Sequence, residues 1–219
     1  INAQNLVYNG DFELYNKIPR TSEGWLGNCQ ISYCKGWDAC CNNEYDSCGY
    51  SDYHYYGPSY KSISYAQPKR PYDGNAFAGF APTFISIPSP IQYYEYITGN
   101  LISPLVIGKK YKISLAHTNG AWKVAKQKPI GHNGFGILLS TYHPVQNEFF
   151  EKLPSKAQLR TPYLMSDSVW KIMEFEFIAD SAYTNITLGG FWENDQVEIK
   201  RYGGNDNPPI ISVSYTHLR

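Results

Sequence analysis

The chain has no excess of either charge. Its 19 Lys and Arg balance 19 Asp and Glu, for a formal net charge of +0. No basic run stands out, so the electrostatic footprint of a nucleic-acid binder is missing. No apolar stretch approaches the ~20 residues that a helical membrane span needs. Charged residues make up only 17 % of the chain, below the usual quarter of a globular domain. The motifs of common enzyme mechanisms are missing too. There is no Gly-x-Ser-x-Gly elbow, no His-Glu-x-x-His pair, no phosphate loop and no dinucleotide fingerprint. Gly131-His-Asn-Gly-Phe-Gly136 has the wrong spacing for a nucleotide-binding glycine loop. The chain opens at Ile1 with neither a charged n-region nor an apolar h-region, which predicts a mature, exported protein whose signal peptide has been removed.

What the chain has in quantity is tyrosine, 20 residues of it among 219. Aromatic and β-branched residues fit a pleated, half-buried surface better than a helix. Strand-like runs alternate with turn residues, and no segment shows helical period. In Lys110-Tyr-Lys-Ile-Ser-Leu115, Tyr111, Ile113 and Leu115 share one face. Val169, Met173, Phe175 and Phe177 do the same, with Glu174 and Glu176 opposite. Phe135-Gly-Ile-Leu-Leu-Ser140 reads as a more fully buried strand. Gly189-Gly190 marks a close backbone approach or a bulge. Many short strands without helices predict an all-β fold, a β-sandwich of two antiparallel sheets in a single domain over 1–219. Residues 38–72 and 118–133 read as long polar insertions between strands, the first rich in Cys and Tyr.

Five cysteines, Cys29, Cys34, Cys40, Cys41 and Cys48, fall within one loop-rich stretch. In an exported chain such clustering predicts local disulfides. Cys29 with Cys34 or Cys40, and Cys48 with Cys41, are the short closures, and the odd count leaves one thiol over. Zinc, with His54 nearby, is the alternative, although the paired C-x₂-C knuckles of structural zinc are missing.

A set of short phrases stands in fixed order. Asn5-Leu-Val-Tyr-Asn-Gly-Asp-Phe-Glu13 comes first, then Asp73-Gly-Asn-Ala-Phe-Ala-Gly-Phe80, Tyr94-Glu-Tyr-Ile97 and Ser103-Pro-Leu-Val-Ile-Gly-Lys-Lys-Tyr-Lys-Ile-Ser-Leu115. Trp170-Lys-Ile-Met-Glu-Phe-Glu-Phe177 and Asn185-Ile-Thr-Leu-Gly-Gly-Phe-Trp192 follow. Together they resemble the N-terminal jelly-roll domain of exported Bacteroidetes surface proteins, which is similar to galactose-binding-like and carbohydrate-binding β-sandwiches. The resemblance implies a jelly roll with Trp37, Trp170 and Trp192 in its core. It also implies a structural calcium held by Glu13 with help from the Asp73–Asn75 segment, Asn75 included. The family's closing aromatic-Ile-Asp-Asp-Val strand is missing. Residues 205–219 are atypical, and Ser214–Arg219 resembles the sequencing-adapter read-through that ends metagenomic reading frames. An ordinary divergent last strand, Ile210 to Tyr215, is the other reading.

The fold analogy implies a secreted or cell-surface, non-catalytic glycan binder. Flat aromatic rings beside short polar groups suit a sugar, which offers an apolar face and a hydroxyl rim. The candidate platform is Trp122, with Asn119 and His132 in one insertion and Tyr53, Tyr55, Tyr56, Asp52 and His54 in the other. An alternative is an adhesive or structural surface subunit whose tyrosines make protein contacts or self-associate. A glycan-active enzyme is the third reading. Glu174 and Glu176 stand ~7 Å apart along one strand face, within the range of a glycosidase pair.

Overall fold

The computed structural model describes residues 4–19, 30–40, 51–57, 60–61, 70–82, 84–85, 92–120, 131–147, 151–200 and 210–219. These residues form strands and two 3₁₀ turns, at Gln30–Tyr33 and Asn194–Gln196. The strands are β1 (Trp37–Asp38), β2 (Asp52–Gly57), β3 (Tyr60–Lys61), β4 (Ala76–Phe80), β5 (Phe84–Ile85), β6 (Gln92–Tyr93), β7 (Tyr96–Asn100) and β8 (Lys110–Gly120). They continue with β9 (Gly131–His132), β10 (Phe135–Ser140), β11 (Leu159–Arg160), β12 (Lys171–Ile178), β13 (Asn185–Gly190), β14 (Ile199–Lys200) and β15 (Ile210–Leu218).

One sheet has the order β1-β7-β13-β10-β11 and the other β12-β8-β15-β4-β2-β3, antiparallel throughout. From β4 onward the strands of five or more residues, β4, β7, β8, β10, β12, β13 and β15, alternate strictly between the two sheets. That crossing pattern makes the fold a jelly-roll β-sandwich. Strand period places the core residues. Tyr111, Ile113 and Leu115 of β8, Met173 of β12, and Ala76, Ala78 and Phe80 of β4 face Ile97, Ile137, Leu139, Ile186 and Leu188 of the other sheet. Trp37 joins this core, its ring 4.7 Å from that of Phe12 and its Nε1 donating to the Asn9 carbonyl.

The five-stranded sheet is covered on its outer face as well. Leu138, Tyr94, Tyr96 and Cys40 pack there with Leu153 and Phe191 in a second apolar cluster. Double-sided burial explains why β10 and β13 are buried at every residue. It also explains Gly189 and Gly190. A Cβ on Gly190 would lie 1.5 Å from the Pro82 carbonyl oxygen, and one on Gly189 would lie 2.3 Å from the Tyr96 ring.

The N-terminal phrase works as a clasp. The Asn5 side chain donates to the Thr216 carbonyl and accepts from the amides of Val7 and Leu218. Asn9, in a left-handed conformation at φ 50°, donates to the carbonyls of Leu14 and Lys35 and accepts from the Leu14 amide. The terminal segment from Ile210 to Leu218 is inserted between β8 and β4, with an irregularity between Val213 and Tyr215 and with Leu218 fully buried. Beyond Val213 the clasp takes over beside it, Thr216 donating to Gly10 and Leu6 donating to Leu218.

Two expectations need correction. The 38–72 stretch is no structureless insertion, because Asp52–Gly57 is a full member of the six-stranded sheet, paired with β4. The alternation Tyr53/Tyr55 against His54/Tyr56 is a strand period hidden by the polarity of its neighbours. Cys34 and Cys40 are buried free thiols. The Cys34 sulfur accepts from Asn9 Nδ2 at 3.2 Å, and Cys40 shares a hydrogen bond with Thr98 Oγ1 at 2.5 Å. They occupy different apolar clusters on opposite faces of the five-stranded sheet, so the sheet itself separates them. Cys29, Cys41 and Cys48 lie outside the described residues.

Candidate functional site

The outer face of the six-stranded sheet carries an aromatic cluster assembled from three distant segments. Strand period turns His54 and Tyr56 of β2 and Phe77 of β4 outward. Phe77 is almost fully buried, because His54 packs on it at 4.6 Å, Tyr56 stacks at 6.0 Å and Trp170 meets it edge-on at 6.0 Å. Trp170 precedes β12 and is laid over the sheet toward β4. Its Nε1 donates to the Arg70 carbonyl at 2.8 Å. Tyr72 flanks the Trp170 ring at 6.5 Å and is 48 % exposed. Phe77 is the base, Trp170 is half-buried, and Tyr72 opens the cluster to solvent. Burial pushes the Tyr56 phenol above its ordinary range and the His54 imidazole down to about 3.

Trp170 was expected in the core. Its own phrase carried the signal for the surface, since it shares parity with Ile172, Glu174 and Glu176, not with Met173 and Phe175. Trp192 also lies outside the inter-sheet core. It packs over Gly136 on the outer face of the five-stranded sheet, with the Arg160 guanidinium 4.7 Å from its ring.

Asn119 and His132, two of the polar residues expected to meet a ligand, are turned inward. β8 runs through Gly120, longer than its alternating phrase suggests, so His117 and Asn119 keep the inward parity of Leu115 and are buried. Asn119 Nδ2 donates to the Met165 carbonyl at 3.1 Å, and His117 Nε2 shares a 2.6 Å hydrogen bond with Tyr163 Oη. His132, of β9, is buried beneath the same segment, its backbone paired with Met165 in both directions. Its Nδ1 accepts from the Gly134 amide at 3.3 Å, which leaves the proton on a buried Nε2 with no partner among the described residues. Burial, helped by the charge of Lys171, pushes His117 down to about 4, and burial, helped by the neighbouring His117, pushes His132 down to about 3. These residues make a polar end-wall of the core, closed to a sugar.

Tyr53 is likewise buried, donating to the Phe12 carbonyl at 2.8 Å. Tyr55 turns inward against Tyr15, ring to ring at 5.0 Å. Asp52 has an enclosed carboxyl, although the residue as a whole keeps some surface, and burial together with the Glu95 charge raises its pKa. Trp122 lies outside the described residues. Glu13 and Asn75 do meet. The Glu13 carboxylate accepts from the amides of Asn75 at 2.5 Å and Ala76 at 2.9 Å and from Asn75 Nδ2. It thereby pins the turn whose Gly74 has φ +64°, and those bonds need no cation. No cluster of three or more His, Cys, Asp or Glu suited to a metal occurs among the described residues.

Glu174 and Glu176 stand on the open face in ion pairs with Lys112 at 2.8 Å and Lys110 at 2.6 Å. Hydrogen bonding to those lysines holds both carboxyls below their ordinary range. A glycosidase acid needs the opposite shift.

No family model matches the chain, and no curated protein matches it. No helix among the described residues is long and apolar enough to cross a membrane. The chain is similar in structure to the carbohydrate-binding module TmCBM61 in complex with beta-1,4-galactotriose, with TM-score 0.43, 10 % identity and 99 % of each chain covered. A cleaved adhesin domain (K1) of Lys-gingipain from Porphyromonas gingivalis gives TM-score 0.41 and 11 % identity over 84 % of this chain and 90 % of that one. The CBM22-1 xylan-binding domain of Paenibacillus barcinonensis Xyn10C gives TM-score 0.38 and 10 % identity over 84 % and 85 %.

Proposed function

We propose that this domain binds carbohydrate without transforming it, on the outer face of its six-stranded sheet, as part of a secreted or cell-surface protein. The observation that carries this reading is the Tyr72–Trp170 pair mounted on a buried Phe77 base. Rings held by packing lose little entropy when a ligand arrives, and large, partly exposed aromatic surfaces mark interaction sites. A pyranose would lay its C–H face on the exposed part of this pair, with the exposed Arg70 and Asp73 beside it for the hydroxyls. The ion-paired Glu174 and Glu176 support a binding role over hydrolysis.

The test is a glycan array that includes β-1,4-galactan and xylan, followed by calorimetry on the best ligand. Tyr72→Ala, at an exposed ring, should leave the melting temperature within a degree or two yet weaken binding about tenfold, ~1.4 kcal/mol. Trp170→Ala should weaken it further. Silence of the natural chain across the array, or full affinity in both variants, would end this reading.

A further inference from the structure

Among the described residues, three of the four edges of the two main sheets are two-residue strands, β1, β11 and β3. The fourth is β12, eight residues long. Its hydrogen bonds follow from parity. Lys112 and Arg219 exchange both amide bonds, so even-numbered β8 residues face β15 there. Odd-numbered ones face β12, as the Asn119 amide bonded to Asp167 and the Lys109 carbonyl bonded to Ala179 confirm at the two ends. In the β8–β12 register, Lys171 pairs with His117 and Phe177 with Tyr111. Odd β12 residues are therefore bonded to β8. Ile172, Glu174, Glu176 and Ile178 point their N–H and C=O groups away from the sheet, and no backbone partner meets them among the described residues. All four are exposed, and Phe175 and Phe177 behind them are only half-buried.

We propose that this edge accepts an added strand from another protein, an extended segment with basic residues at two alternate positions. The charge pattern selects that partner. The outward row reads Ile172, Glu174, Glu176, Ile178, and β8 already answers it with Lys112 and Lys110. With side chains 50 % and 58 % exposed, both carboxylates keep acceptor sites open to a second pair of cations. Inward-facing apolar residues of the new strand would cover Phe175 and Phe177. A second copy of this chain fits less well. Two β12 strands joined through their free groups about a two-fold at Phe175 would set Glu174 against Glu176 twice over, and opposed like charges destabilise a strand pair. The added strand would extend a sheet whose outer face already bears the proposed glycan site, but neither proposal needs the other.

The probe is a synthetic peptide with the sequence of residues 109–117, whose alternating lysines are the complement that β12 meets inside the sheet. By fluorescence anisotropy it should bind the intact chain below about 1 mM and weaken as salt rises. A version with glutamate for each lysine should bind at least about tenfold less well. The Glu174→Lys, Glu176→Lys double variant should reverse that preference. N-methylating the peptide amides that face β12 should abolish binding, because the bond is a backbone ladder. Equal binding of the lysine and glutamate peptides, or undiminished binding after N-methylation, would overturn the proposal. So would a neutral-pH dimer by sedimentation that blocks the peptide, since the occupant would then be a second copy.

Discussion

Lowering the pH from 7 to 5 should cost this domain several kcal/mol of stability, and the loss should come from three histidines. His54, His117 and His132 are buried and neutral, pushed down to about 3, about 4 and about 3. In the unfolded chain each returns to about 6.5. The neutral form is favoured in the fold, so the stability they protect is complete above pH 6.5 and drains away as pH falls toward the folded values. At pH 5 each unfolded histidine has taken up a proton that the folded one refuses, worth about 2 kcal/mol apiece. Three together reach about 6 kcal/mol, comparable with the whole stability of many domains. Asp52 works in the opposite sense. Its raised pKa lets the folded state bind a proton first, which offsets part of that loss. The assay is urea unfolding at half-unit steps, where the limiting slope should approach about 4 kcal/mol per pH unit before that offset. His117→Gln should lower the slope by about 1.4 kcal/mol per unit. A free energy of unfolding that stays flat from pH 7 to 5 would refute the burial of these rings.

Other outcomes follow from single contacts. Gly190→Ala should lower stability by about 3 kcal/mol in a thermal melt, because its Cβ has no room beside the Pro82 carbonyl. Glu13→Ala should cost about 1–3 kcal/mol by orphaning the amides of Asn75 and Ala76; an equal melting temperature in calcium and in chelator would show that the carboxylate acts alone. Cys34 and Cys40, whose thiols burial raises, the latter to about 12, should resist thiol reagents in the native protein and react fully in denaturant. Rapid native labelling of either would contradict their packing.

The failures of sequence reading at this domain have a common cause. The polar neighbours of Asn119 predict a loop, yet it continues the inward parity of Tyr111, Ile113 and Leu115. His54 and Tyr53 read as one surface in the sequence, although a strand sends them to opposite faces. A polar residue in a strand inherits the face that its position dictates, and whether it is then buried depends on what the other sheet and the crossing segments lay over it. The 163–167 segment that covers His117, Asn119 and His132 lies 46 residues along the chain from His117 and Asn119.

The sequence by itself determined the all-β class and the inward faces of β8 and β12, and it marked β10 as a well-buried strand. Those depend on a two-residue period and on side-chain volume, both local properties. Tertiary structure alone decided which aromatics surface together, since Tyr56, Tyr72, Phe77 and Trp170 come from β2, the turn before β4, β4 and the approach to β12. It alone left β12 as a long edge without a strand partner among the described residues, because an edge is defined by the strand that fails to pair there, and strand order is a property of the whole sheet.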